Sequence, residues 1–250
     1  MAKRNERKAS RAVGLVKNDL RTFRQMIINV FQENERDNEK EILHIIMSAP
    51  VLRSKFYKSF QSMDLTTFGA GSLYYNQLIN EEAVIERSIA IIDICNEQIN
   101  RFLILRDEYE KYLTYCVYDD AIKTLDIIEK ELGISVWGIG QRLLLTKISN
   151  NHQENELWRQ YITKLTGRNT VLFLLDHLRM LVDFDISYSK YLIELDKHLG
   201  VANTDAKRYL GSKLKIDRFP DLSNIPLVLQ IDFQISIIDF FLSYESCLLS

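Results

Sequence analysis

Proline is nearly missing from this sequence, three in 250 residues, and glycine is scarce, at nine. Turn-dense and strand-dense folds need both, so their scarcity implies few turns and long elements, which means helices. Cysteine is rare too. Cys95, Cys116 and Cys247 lie far apart and match no metal or redox spacing, which excludes a disulfide framework. All three sit in apolar stretches and read as inert core thiols of a protein from a reducing, cytoplasmic compartment. The N-terminus is basic but has no apolar stretch behind it, so it does not read as a secretory signal.

The chain does hold enough apolar material for a core, 46% of its residues, with 26% charged and a net charge of −2. Such a length buries a core without staples. Charge is unevenly placed. Residues 1 to 25 carry eight bases (Lys3, Arg4, Arg7, Lys8, Arg11, Lys17, Arg21, Arg24) against Glu6 and Asp19, so the rest of the chain is acidic.

Helical periodicity runs through most of the sequence. Val13, Val16, Leu20, Phe23, Ile27, Val30 and Phe31 recur at steps of three and four, predicting a first helix from Asn5 to Asn34. Asp37 is a candidate cap for a second, and Pro50 suits the first turn of a third. The clearest loop spans residues 61 to 72. Asn80 to Cys116 shows no firm break, Gly133 is a stop for the following helix, and residues 169 to 200 form another long helix ended by Gly200. No two runs of strand character can pair. The expectation is all-α: a repeat-like or irregular bundle of long antiparallel helices. It forms a single helical domain over 1–250, with 1–61 a candidate separable N-terminal subdomain.

Residues 105 to 133, "LRDEYEKYLTYCVYDDAIKTLDIIEKELG", resemble one tetratricopeptide unit. Tyr112 lies on the first helix, Tyr118 opens the second, Ala121 is the small residue where the helices touch, and Leu125 fills the following large slot. Tyr109 stands where that family carries a small residue, and Gly133 replaces its terminal proline. The resemblance implies a helical hairpin in which Tyr112, Tyr118, Ala121 and Leu125 pack the crossing.

Catalytic patterns are thin. Among the four histidines, His44, His152, His177 and His198, only His198 has a spaced partner, Glu194, four residues earlier, and a surface hydrogen-bonded pair is the favoured reading. "GISVWG" misses the nucleophile-elbow spacing by one residue, and Ser135 reads better as a helix cap. "FGAGS" lacks the lysine of a phosphate loop. Asp183 and Asp185, two apart, diverge on a helix and make no carboxylate pair. No metal or cofactor is implied, and the balance leans away from an enzyme.

The stretch "LQIDFQISIIDFF" (229–241) alternates like a strand, yet Pro226 precedes it as at a helix start. At helical spacing Asp232, Ser236, Asp239 and Ser243 form a polar stripe beside an apolar one, Ile231, Ile235, Ile238 and Leu242. Residues 226–249 therefore read as a largely buried helix with no membrane span, because each acid would be costly in lipid. The apolar stripe is a candidate interface with a protein partner or a second copy. The favoured function is a helical scaffold or adaptor in a larger assembly. The alternative is nucleic-acid binding by the basic face Arg4, Arg7, Lys8, Arg11, Lys17, Arg21 and Arg24.

Overall fold

A computed structural model describes residues 14–15, 18–32, 36–64, 68, 75, 81–164, 170–183, 185–200, 202, 204–214 and 222–249. These form thirteen α-helices and one short 3-10 turn, with no strand among them. In chain order the helices are α1 (Leu20–Gln32), α2 (Arg36–Ser48), α3 (Pro50–Phe60), α4 (Glu81–Ile94), α5 (Asn96–Thr114), α6 (Tyr118–Leu132) and α7 (Val136–Ile148). Then come α8 (His152–Lys164), α9 (Thr170–Leu181), α10 (Tyr188–Leu199), α11 (Thr204–Leu214), the 3-10 turn Leu222–Asn224, α12 (Ile225–Ile235) and α13 (Ile237–Leu249). The chain is all-α.

The expected long helices are cut where one residue redirects the backbone. Asp19 interrupts the first: its carboxylate accepts from Thr22 N at 2.7 Å and caps α1. Asp37 is not a cap but lies inside the first turn of α2. Cys95 bends the run from Glu81, with φ −101° and ψ 14°, while its own N–H still donates to Ile91 O and its carbonyl accepts from Ile99 N. The 169–200 run stops at Leu181 and restarts under Ser187, whose hydroxyl accepts from Lys190 N. Ser135 caps α7 as expected, accepting from Gly138 N at 3.0 Å.

The last segment is two helices rather than one. Ser236 is extended, at φ −161° and ψ 143°, and its N–H closes α12 onto Asp232 O. Its hydroxyl then accepts from Ile238 N and Asp239 N, capping α13. Asp232 and Ser243 hydrogen-bond at 2.5 Å. On one continuous helix those eleven steps would span about 16 Å, so the chain folds back at Ser236.

Two apolar cores flank α12. Leu229 and Phe233 point into one, with side chains of α1 to α6. Leu227, Val228, Ile231 and Ile235 point into the other, with α7, α9, α10 and α11. The Phe233 ring meets Phe60 at 4.3 Å, Phe31 at 5.5 Å, Phe56 at 5.9 Å and Phe240 at 5.8 Å between centroids. The described part of residues 1–61 thus shares a core with the end of the chain.

Helices α5 and α6 form an antiparallel hairpin. Ala121 and Leu125 are fully buried at the crossing, and Tyr112 and Tyr118 pack on its edge. Tyr109 is buried as well. Its ring meets the Trp137 edge across to α7, and its hydroxyl donates to Gln141 Oε1 at 3.1 Å. The hairpin turn departs from the expectation of three core thiols: Cys95 is buried, Cys247 half-buried and Cys116 exposed. Cys116 sits at φ 58°, with Val117 N bonded to Tyr112 O and its own N–H to Leu113 O. This is the left-handed helix stop that favours glycine. Asn150 plays the same part after α7, at φ 54°.

Two substitutions follow with opposite signs. Cys116→Gly relieves the left-handed strain and should stabilise by about 1 kcal/mol. Phe233→Ala empties the aromatic cluster and should cost about 3–5 kcal/mol. Urea denaturation of both measures the pair, and a destabilised Cys116→Gly would show that the thiol makes compensating contacts.

Candidate functional site

The polar stripe foreseen on the last helix becomes a buried seam between α11, α12 and α13. Asp232 has no exposed surface. Its Oδ1 accepts from the Tyr209 hydroxyl at 2.6 Å, and its Oδ2 from Lys213 Nζ at 2.9 Å and Ser243 Oγ at 2.5 Å. Lys213 also donates to Ser243 Oγ at 2.9 Å. One turn into α13, Asp239 reaches α7 instead. Its carboxylate accepts from Val136 N at 2.8 Å and Trp137 N at 3.0 Å, the free amides of a helix start. Tyr209 and Lys213 carried no sequence signal that tied them to the seam.

The seam's chemistry follows from its protonation. Burial lowers the Lys213 pKa, but the charges of Asp232 and Asp239 outweigh it and leave the group above its ordinary value. Burial, then Asp232, push the Tyr209 phenol well above 10. A lysine that stays charged has no lone pair for the Ser243 proton, so the serine–lysine contact is not a nucleophile–base pair. The serine and tyrosine hydroxyls donate to Asp232 and saturate it. The arrangement ties helices together.

A second polar contact joins α9 and α10. His177 is buried, and its Nδ1 lies 2.9 Å from Phe173 O, so that nitrogen carries the proton. Its Nε2 must then accept from His198 Nδ1, 3.2 Å away. Burial lowers the His177 pKa. His198 therefore partners His177, whereas Glu194 lies 3.6 Å from Lys197. Asp183 and Asp185 lie in a turn rather than on a helix, and both converge on Lys147, at 3.1 and 3.4 Å. Among the described residues no group of three or more histidine, cysteine or acidic side chains could hold a metal ion. None of their helices is long and apolar enough to cross a membrane.

The basic stripe is only partly described, since Arg4, Arg7, Lys8, Arg11 and Lys17 lie outside the described residues. Arg21 is exposed. Arg24 turns inward: it donates to Gln234 O at 2.6 Å, stands over the Phe60 ring at 5.4 Å, and closes a free carbonyl at the end of α12. The interface stripe is also turned inward. Ile231, Ile235 and Ile238 are buried and Leu242 half-buried under the chain's own helices.

A different apolar patch faces outward. Arg101 and Glu131 form a bidentate pair between α5 and α6, at 2.7 and 3.0 Å. Ile104 lies three residues on from Arg101 and Ile127 four back from Glu131, so both stand one turn nearer the hairpin tip on the same side. Ile104 is 61% exposed and Ile127 38%. Beyond them the bridges Asp107–Lys111 and Asp120–Lys123 close the rim.

No family model, curated protein or solved structure matches this chain. The seam generates one prediction. Asp232→Asn keeps the shape but removes the carboxylate that Lys213 touches, and should cost about 3 kcal/mol at neutral pH, at the low end for a buried pair because Lys213 is partly exposed. Denaturant unfolding checks it, and a loss under 1 kcal/mol would mean the seam is not what holds α11 to α12.

Proposed function

We propose that the chain is a cytoplasmic helical scaffold or adaptor, a subunit of a larger assembly, that binds protein through the outer face of the α5–α6 hairpin. The observation that carries this reading is the patch of Ile104 and Ile127. Neither side chain serves the core, which is filled by the opposite faces of the same helices. Apolar side chains ringed by ion pairs are the usual make-up of a protein-binding face, with the rim excluding water from the centre. The likeness of this hairpin to a tetratricopeptide unit supports the same reading, because stacked hairpins display their outer faces in series.

Ile104→Asp combined with Ile127→Asp puts two charges into the patch. Each is expected to weaken partner binding by about tenfold or more. Thermal stability should barely change, as for other surface positions. Quantitative affinity purification with the wild-type and doubly substituted chains tests this. Equal recovery of every partner by both chains would remove the patch from consideration.

A further inference from the structure

Two buried carboxylates and one lysine meet in the α11–α13 seam, and their charges do not balance. Lys213 stands 2.9 Å from Asp232, whereas Asp239 accepts from backbone N–H groups of α7, which bring partial charge alone. The buried and half-buried cations on the elements around α13 are committed elsewhere. Arg106 of α5 pairs with Glu245 and Glu110, Arg142 of α7 with Asp126 and Glu129, and Arg87 of α4 with Glu39. Tyr209 of α11 and Cys247 of α13 keep their protons, since burial raises both pKa values. With both acids ionised, the seam holds one uncompensated negative charge among the described residues.

We infer that Asp239 is a proton-binding site in the core, and that its charge state sets how firmly the start of α7 is held. When ionised, Oδ2 accepts from Val136 N and Oδ1 from Trp137 N. A proton on one oxygen removes the excess charge and most of that oxygen's acceptor strength, so one of the two α7 amides loses its anchor. Burial raises the Asp239 pKa, Lys213 and the two amides lower it, Asp232 raises it again, and the result is about 6.

The sign follows from linkage. The folded pKa lies above the ordinary 3.8, so the folded chain holds this proton more tightly than the unfolded one. The stability it contributes is present in full below about pH 4 and is lost as the pH rises through about 6. His177 acts in the opposite sense, because burial favours its neutral form, so bulk stability alone mixes the two. The inference does not depend on the adaptor reading.

The test is a carbon-13 NMR titration of the aspartate carboxyls in the full chain, assigned with Asp239→Asn. One carboxyl should titrate near pH 6 and vanish in the variant, and the Val136 and Trp137 amide resonances should shift with the same midpoint. In Lys213→Met, where the compensating charge is gone, that midpoint should rise. An Asp239 midpoint near 4, amides that do not follow it, or a midpoint indifferent to Lys213 would each overturn the inference. Should Asp239→Asn not fold, sequence-selective aspartate labelling assigns the wild-type resonance.

Discussion

Asp232 and Asp239 cannot stay buried unless hydrogen-bond donors are brought to them, and bringing those donors places three helices. Asp232 requires α11, which supplies Tyr209 and Lys213. It also requires α13 to fold back on α12, which supplies Ser243. Asp239 requires the start of α7, whose free amides find no partner within their own helix. An unmet carboxylate in this interior would cost several kcal/mol, more than most single apolar contacts return. The seam therefore selects one arrangement among the many that helices of similar apolar character could adopt.

Around that seam the apolar side chains divide rather than merge. Helix α12 has no solvent face: its residues alternate between a core built mainly from α1 to α6 and α13 and one built mainly from α7 to α11. Its C-terminal end is closed by Arg24 of α1, which donates to the carbonyl of Gln234, and before its start Arg208 of α11 holds the Asn224 side chain at 2.8 Å. A helix near the end of the sequence thus joins material from the whole chain.

Much of the fold was legible because periodicity and cap chemistry are local. The helical class, the Ser135 cap and the Gly133 and Gly200 stops all follow from a few neighbouring residues. The breaks were harder. Cys95 and Ser236 have no strong breaker character, and what bends the chain there is tertiary packing on both sides. The polar stripe Asp232, Ser236, Asp239 and Ser243 was visible, but its orientation was not. A polar stripe beside an apolar one normally faces water, and only Tyr209, Lys213 and the α7 amides, all distant in sequence, turn it inward. Arg24 shows the same limit: a cation in a basic stretch reads as solvated until a helix terminus arrives to claim it. The outward Ile104 and Ile127 were hidden for the converse reason, since an isoleucine at helical spacing reads as core.

If α12 is the wall between two cores, its amides open only when the whole molecule unfolds. Native-state hydrogen exchange measures this directly. Leu229 to Phe233 are expected to exchange with the free energy of global unfolding and the full denaturant dependence, and the α2 and α10 surface turns to exchange faster. Exchange of Leu229 to Phe233 through a local opening, with either core still protected, would contradict it.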